Sequence, residues 1–505
     1  MARDIVVFKN VYYSYPRVKS WALEDINFSI AEGEFLAVMG ENGAGKTTFC
    51  RLFNGIIPHS SGGRLLGTVV IDGESTIEKS VPYLAGKVGM VLDDPDAQMF
   101  TSTARSEVAF GPENLLLPPP EIEQRVRMAL SAVGLSGFED RSTATLSGGE
   151  KQRLAIAAAL ALNGKILVLD EPLCRLDPDG AAEVMSVLKN IREKYQITVV
   201  MAAHESAMMA EFADRVCVLK NGRIAACDTA EKIFAESDLL DENGIQPAVF
   251  SGFYRRQGDD DAEISALFTE EGNILSERNA KTQAVSLTNF SFSYVKDSPS
   301  FENINLTIAD NDFAAVIGRN GCGKTTLLKN ITGLLRPRSG DIFIRGRNTR
   351  ELSVSDISKE AGFVMQNPDT QLFTDSVYNE VAFALKNFGL SKTEIRRRVQ
   401  EAVCTVGLKD MDAFPHALSR AERTLTVLAC VLAMGCKIII FDEVDVGQDY
   451  RGSLKIMNIA RELHSKGYTI IFVTHNMPLV CEYAKRLIKM EKCGIIMDRK
   501  RKDSV

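Results

Sequence analysis

Short, wholly apolar runs alternate along this chain with longer stretches in which apolar residues recur every three or four positions. Phe35–Met39, Ile166–Leu169 and Thr198–Met201 are such runs, each free of charge. A strand buried on both faces reads this way, whereas a half-exposed strand alternates apolar with polar. Helical periods follow the runs, and the order strand, helix, strand predicts an α/β domain with a largely parallel sheet covered on both faces. The apolar stretches around Leu154–Leu162 and Val427–Met434 are too short to cross a bilayer.

The pattern is written twice. GENGAGKTT at 40–48 recurs as GRNGCGKTT at 318–326, VLDDPDAQMF at 91–100 as VMQNPDTQLF at 364–373, and ILVLDEP at 166–172 as IIIFDEV at 438–444. TLSGGEKQRLAIAAALAL at 145–162 has a weaker echo in ALSRAERTLTVLACVLAM at 417–434. Gly40 and Gly318 are 278 positions apart, Asp170 and Asp442 272, and His204 and His475 271. One long unit is therefore duplicated, and a solenoid of short repeats is excluded. The division expected is 1–240 for the first unit, 241–281 for an acid-biased linker or accessory segment containing Asp259, Asp260 and Asp261, and 282–505 for the second.

Composition narrows the picture further. The 505 residues are too many for one ordinary domain of about 150 residues. A net charge of −7 argues against a mainly electrostatic nucleic-acid binder. The ten cysteines form no C-x-x-C pair, so they read as reduced thiols and not as disulfides or zinc ligands. The opening MARDIVVFKN lacks the form of a signal peptide.

The repeated motifs carry phosphate chemistry. Gly40-x-x-x-x-Gly45-Lys46-Thr47 and Gly318-x-x-x-x-Gly323-Lys324-Thr325 each follow an apolar strand and open a helix. The glycines let backbone N–H groups curl onto a phosphate, and the helix adds its positive end. Lys46 and Lys324 are expected to reach β- and γ-phosphates, and Thr47 and Thr325 to hold Mg²⁺. Asp170-Glu171 and Asp442-Glu443 end apolar strands. There the Asp can hold Mg²⁺ through water and the Glu can orient or deprotonate the attacking water. His204 and His475 also end strands; a lone His is more often a structural hydrogen-bonder, but two at matching offsets suggest a γ-phosphate sensor. Leu146-Ser147-Gly148-Gly149-Glu150 opens a long apolar helix, and its Ser and Gly N–H groups offer a second anion site. A chain that already has a P-loop can use that site to close on a nucleotide held elsewhere.

P-loop, LSGGE, strand-Asp-Glu and strand-His, in that order and with a second round in which LSRAE stands in place of LSGGE, resemble the ATP-binding cassette family over nearly the whole chain. The resemblance implies two tandem cassettes, each a RecA-like core with a helical signature subdomain. They would bind ATP and Mg²⁺ head to tail, each nucleotide between one P-loop and the other cassette's signature. It implies nucleotide contacts from Gly40, Asn42, Gly43, Gly45, Lys46, Thr47 and Thr48, from Gly318, Asn320, Gly321, Gly323, Lys324, Thr325 and Thr326, and from Ser147, Gly148, Gly149 and Ser419. Tyr15 and Tyr294, 25 and 24 residues before their P-loops, stand where the family stacks an aromatic on adenine, although each could equally be a core aromatic of a strand. VMQNPDTQLF and LSGGEKQRLAIA resemble the ATPases of energy-coupling-factor transporters and related cobalt and nickel importers. That implies work at the cytoplasmic membrane face with separate integral membrane subunits. A sugar-importer ATPase and a soluble tandem cassette acting on ribosomes are the alternatives.

The copies differ where the resemblance places chemistry. Asp93 stands where the second copy has Gln366, the family's Mg²⁺ and water contact. Ser419-Arg420-Ala421 replaces Ser147-Gly148-Gly149, and Arg420 could block the approach of phosphate or pair with it. Val446-Gly447-Gln448-Asp449 replaces Arg175-Leu176-Asp177 in the loop after the carboxylates. Head-to-tail pairing would put Lys324, Thr325, Gln366, Asp442, Glu443 and His475 opposite the intact signature. Lys46, Thr47, Asp93, Asp170, Glu171 and His204 would face the altered one. One competent site and one weakened site are expected.

Overall fold

The computed structural model describes residues 3–247, 267–269, 283–295 and 301–502, which fall into two compact units, 1–254 and 255–505. Asp259, Asp260 and Asp261 lie outside the described residues.

In the first unit the apolar runs are strands of one six-stranded sheet. Its order is Arg223–Thr229, Arg215–Lys220, Phe35–Met39, Thr198–Ala202, Ile166–Asp170 and Val88–Val91. All neighbours are parallel except the hairpin of the first two. Every residue of the three central strands is buried, which is why they read as unbroken apolar runs. This order sets the strands that feed the P-loop, His204 and Asp170-Glu171 side by side, so all three motifs emerge at one carboxyl edge. The crevice outside that edge is where open α/β sheets bind ligands.

The second unit repeats the plan in Arg486–Glu491, Phe313–Ile317, Thr469–Val473, Ile438–Asp442 and Ala361–Val364, with Gly494–Arg501 as the antiparallel neighbour of the first of these. Phe268–Thr269 adds a further strand through Arg501 and Lys500, so part of the segment expected to be a linker or accessory element is built into this sheet.

Helices cover one face of each central sheet. The other carries a second, antiparallel sheet that the sequence pattern does not announce: Leu23–Ala31, Asp4–Ser14, Arg64–Ile71 and Glu74–Ser75 in the first unit, and Phe301–Ala309, Gln283–Phe292, Ser339–Ile344 and Arg347–Asn348 in the second. The P-loop helix Lys46–Arg51 packs into the core between the two sheets. Its Phe49 stacks on Phe8 with centroids 4.9 Å apart and meets Phe53 edge-on at 5.4 Å. The phosphate loop is thus braced from behind by an aromatic core.

Phe49→Ala leaves a ring-sized hole behind the loop and is expected to cost about 3–5 kcal/mol. Urea denaturation should show the loss in the first unit's transition, with nucleotide affinity at that unit falling alongside; an unchanged midpoint would contradict the bracing role.

Candidate active site

Both P-loops leave their strands at a glycine whose geometry admits no other residue. Gly40 has φ 145°, and a Cβ there would lie 2.3 Å from the Leu219 carbonyl oxygen; at Gly318, φ 150°, it would lie 2.3 Å from that of Met490. Gly45 and Gly323 then cap the P-loop helices in the left-handed region.

The lysines that follow are almost wholly buried. Lys46 Nζ donates to the Gly40 and Glu41 carbonyls at 3.0 and 3.3 Å, lies 3.2 Å from His204 Nε2 and 3.5 Å from Glu171 Oε1. Lys324 Nζ repeats this with Gly318 at 2.7 Å, Arg319 at 3.2 Å, His475 Nε2 at 3.2 Å and Glu443 Oε1 at 3.4 Å. The imidazoles close the ring. His204 Nε2 is 3.0 Å from Glu171 and 3.2 Å from Asn42 Oδ1, and His475 Nε2 is 3.2 Å from Glu443 and 3.1 Å from Asn320 Oδ1.

Glu171 and Glu443 reach these partners from a left-handed backbone, φ 49° in each, at the residue after the strand. Non-glycine residues hold that conformation only where their surroundings impose it. Here each N–H still bonds the neighbouring strand, Glu171 to Ala202 O at 2.9 Å and Glu443 to Val473 O at 3.0 Å. Burial tends to raise both carboxyls. The histidine hydrogen bond and the lysine charge overcome it, holding Glu171 at about 2 and Glu443 below the ordinary range.

The preceding aspartates behave oppositely. Asp170 and Asp442 accept from Thr47 Oγ1 and Thr325 Oγ1 at 3.2 and 3.1 Å, and desolvation pushes each up to about 6. A hydroxyl beside a desolvated carboxylate is an oxygen donor pair suited to a hard divalent cation. Among the described residues no cluster of three or more His, Cys, Asp or Glu forms a metal cage. The pair therefore fits a cation such as Mg²⁺, which takes one or two protein oxygens and completes its shell with water and phosphate.

Tyr15 and Tyr294 stand over the P-loop helices, their hydroxyls 3.0 Å from Thr48 Oγ1 and Thr326 Oγ1. Tyr294 is 63% exposed and Tyr15 is partly exposed, so neither is an enclosed core aromatic.

Each signature opens its helix, Gly148–Ala161 and Arg420–Met434, with a capping box: Ser147 with Glu150, and Ser419 with Glu422. This corrects one expectation. The Ser147 N–H donates to Glu150 Oε2 at 2.7 Å and the Ser419 N–H to Glu422 at 3.0 Å, so a serine N–H is not open to an anion.

The two units part at the residues flagged by sequence. Gln366 Nε2 donates to Glu443 Oε2 at 3.0 Å, fixing the carboxylate in the second unit. Its counterpart Asp93 is exposed and adds a like charge that helps raise Asp170. Arg420 is placed within its own unit. Its guanidinium turns into its own unit and donates to the Gln366 carbonyl at 3.3 Å. It lies over Gly447, where an added Cβ would sit 3.2 Å from the guanidinium carbon. In the first unit the arginine is Arg175, at the position of Gly447, paired with Asp94 at 3.0 Å, and glycine is at 148. Arginine and glycine have changed places between signature and loop.

Three features were not anticipated. Asp445 accepts from Thr474 Oγ1 at 2.6 Å, and desolvation pushes it up to about 6; the first unit has Leu173 and Ala203 there. The Gln98 and Gln371 side chains turn inward, each accepting a backbone N–H at 2.8 Å and so clamping the loop behind them. Beyond each clamp a phenylalanine is displayed: Phe100, 72% exposed, against Phe110, and Phe373, 62% exposed, against Phe383. The buried carboxylates of Glu107 and Glu380 hold the backbone N–H groups of Phe100 and Phe373 at 3.0 Å.

A family model described as ABC transporter matches residues 23–174 and 301–445, more than half of the chain. The chain belongs to the ABC transporter family, and its two P-loop cassettes make it an ATP-binding ATPase. It is similar to a provisionally named ABC transporter ATP-binding protein of Caldanaerobacter subterraneus subsp. tengcongensis, with 34% identity over 99% of this chain and 92% of that one. Another of the same description, from Methanosarcina acetivorans, is 36% identical over 98% of this chain and 85% of its own. Among solved structures, cbiO1 from Clostridium perfringens, part of the ABC transporter complex cbiONQ, matches 49% of this chain and 97% of its own at 33% identity, with a TM-score of 0.43.

With two complete P-loop constellations, Mg-ATP titration should saturate at about two nucleotides per chain, one for each phosphate-binding helix terminus. Lys46→Ala and Lys324→Ala should each remove about one. Saturation of the unaltered chain at a single nucleotide would show that one constellation does not bind.

Proposed function

We propose that this chain is the ATP-hydrolysing motor of a membrane importer of the energy-coupling-factor type, taking up vitamins or metal ions through separate membrane subunits, with one competent and one weakened ATP site. Two cassettes pair head to tail, within one chain or between two. Lys324 binds the terminal phosphates, Thr325 and Asp442 hold Mg²⁺, Gln366 and Glu443 position the water, and His475 senses the γ-phosphate; Ser147, Gly148 and Gly149 close from the other cassette. Mg²⁺ supplies charge neutralisation on the phosphate oxygens. The depressed Glu443 carboxyl is ionised at neutral pH, as a water-orienting group needs to be. Lys46, Thr47, Asp170, Glu171 and His204 form the weaker site, with Ser419 the remaining hydroxyl of its signature.

The observation that carries the asymmetry is the Gln366–Glu443 hydrogen bond, against an exposed aspartate in the other unit. Losing a positioned water or a transition-state donor costs a factor of about 10² or more. Turnover is therefore expected to come almost entirely from the Glu443 site. Glu443→Gln should abolish phosphate release while ATP stays bound, and Glu171→Gln should retain a substantial fraction. Equal losses would refute the asymmetry, and a larger loss from Glu171→Gln would reverse it.

Docking on transmembrane subunits is supported by the displayed phenylalanines beside Asn367-Pro368-Asp369-x-Gln371 and its counterpart in the first unit. Each phenylalanine packs on a second exposed one, Phe110 and Phe383, and adjoining exposed apolar side chains mark interaction surfaces where single scattered ones do not. Among the described residues no helix is long and apolar enough to cross a membrane. Phe100→Asp with Phe373→Asp should lower the membrane-bound fraction in cell extracts by about tenfold or more, with two-site nucleotide binding kept. Sedimentation of the unaltered chain with ribosomes would instead favour a soluble ATPase acting on macromolecules.

A further inference from the structure

Away from the ATP machinery, the duplication supplies its own control. In the second unit Arg486, 3% exposed, is held between two carboxylates. Asp312 Oδ2 accepts at 2.9 Å, and Asp498 accepts from Nε and Nη2 at 2.8 and 2.6 Å. Arg215 occupies the same position in the first unit. Glu34 Oε1 supplies one carboxylate at 3.0 Å, but at the position of Asp498 stands Cys227, its Sγ 3.2 Å from Arg215 Nη2. The correspondence holds in register as well, since Cys227 pairs with Cys217 as Asp498 pairs with Ile488. Arg215 pairs in register with Leu36 near the start of the P-loop strand, towards the edge opposite the phosphate loop.

A sulfur that replaces a carboxylate beside a guanidinium completes the pair only as a thiolate. The remaining surroundings point the same way. The neighbouring Cys217 thiol and the Arg215 charge draw Cys227 below the ordinary thiol range, while Cys217 itself is driven up by its Cys227 neighbour and by burial. The charged groups nearby are Arg215, Glu34, Asp228, Lys9 and Asp4. Cys227 is partly exposed on an open groove of about 550 Å³ lined also by Phe8, Lys9, Asn27, Phe28 and Ile224, so a small reagent can reach it.

We propose that Cys227 is a modification site: its thiolate, paired with Arg215, attacks peroxides and soft electrophiles, and Cys217 resolves the oxidised form as a cross-strand disulfide. The Cys227 sulfur takes one peroxide oxygen, the O–O bond breaks, and the departing hydroxide becomes water with the proton Cys227 lost on ionising. Cys217 sulfur then displaces hydroxide from the Cys227 sulfenic acid and gives up its own proton, so a second water leaves. Two thiols are oxidised and one peroxide is reduced to two waters. Directly opposed residues of an antiparallel pair have Cα atoms about 4.5–5.5 Å apart, inside the roughly 4.4–6.8 Å that a disulfide spans.

The test uses the full chain. Iodoacetamide labelling at pH 7, followed by peptide mass spectrometry, should modify Cys227 on the order of tenfold faster than the exposed Cys404. Hydrogen peroxide treatment should yield a Cys217–Cys227 linked peptide under non-reducing conditions, and Cys217→Ser should instead leave a dimedone-reactive sulfenic acid at Cys227. Cys227→Asp, which copies the second unit, should keep or raise thermal stability and lose both reactions. Labelling of Cys227 no faster than Cys404 overturns the thiolate, and peroxide treatment that gives neither linkage nor dimedone adduct overturns the oxidation. Both readouts come from the unaltered chain and Cys217→Ser, so they decide the matter even if Cys227→Asp folds poorly.

Discussion

Each cassette is organised around a buried ammonium group. Lys46 and Lys324 are 4% and 5% exposed, and a charge that deep persists only with partners on several sides. Two P-loop carbonyls, an imidazole and a carboxylate supply them in each unit. Those partners come from three adjacent strand ends, so meeting the lysine's needs fixes the strand order, the sharp departure at Gly40 and Gly318, and the left-handed turn at Glu171 and Glu443. The aromatic core behind the P-loop helix keeps the lysine pointed forward. Its present partners are also its competitors. Phosphate oxygens delivered to the loop are stronger partners for an ammonium than carbonyls are. Glu443 has two further partners, His475 and Gln366, that do not depend on Lys324.

Two copies of one architecture in a single chain act as a natural substitution experiment. Lys, Thr, Asp, Glu and His keep their distances in both units to within 0.3 Å at most for the contacts described. What varies surrounds that set. The exchange of arginine and glycine between signature and loop keeps one guanidinium against the glutamine loop in each unit, carried by Arg175 in one and Arg420 in the other. Gly447 has φ 68° and no side chain, which is what allows Arg420 to lie over it. The second signature is therefore not disordered by its arginine; it is tied to its own catalytic loop. Its altered sequence does not loosen the unit that carries it.

Most of the site was legible from spacing. P-loop, Asp-Glu and His each end an apolar run, and three central strands buried on both faces produce that signal directly. The antiparallel sheets were not legible, because Asp4–Ser14 alternates only loosely and its pairing with Leu23–Ala31 and Arg64–Ile71 passes through bulges. The direction of Arg420 was hidden for a different reason: it depends on the glycine at 447, far along the chain. The same holds for Phe100 and Phe373, whose display depends on the buried Glu107 and Glu380 holding their backbones.

The cysteine pair shows how narrow the gap between sequence and structure can be. Asn221-Gly222, both at positive φ, is a two-residue hairpin signal, and it sets Lys220 opposite Arg223. Extended without interruption, that register would put Cys217 opposite Ala226. A bulge between Ile224 and Ala226 shifts the pairing by one residue and brings Cys227 opposite Cys217 and beside Arg215. Because side chains alternate with period two, that one-residue shift decides whether the thiol meets the guanidinium or points to the other face of the sheet. The second unit makes the same kind of shift between Lys489 and Met490, and there it delivers Asp498 to Arg486. The bulge is thus the device that completes the pairing of an arginine in both cassettes, half-buried Arg215 in one and buried Arg486 in the other, and the chemistry delivered differs only in the side chain it carries.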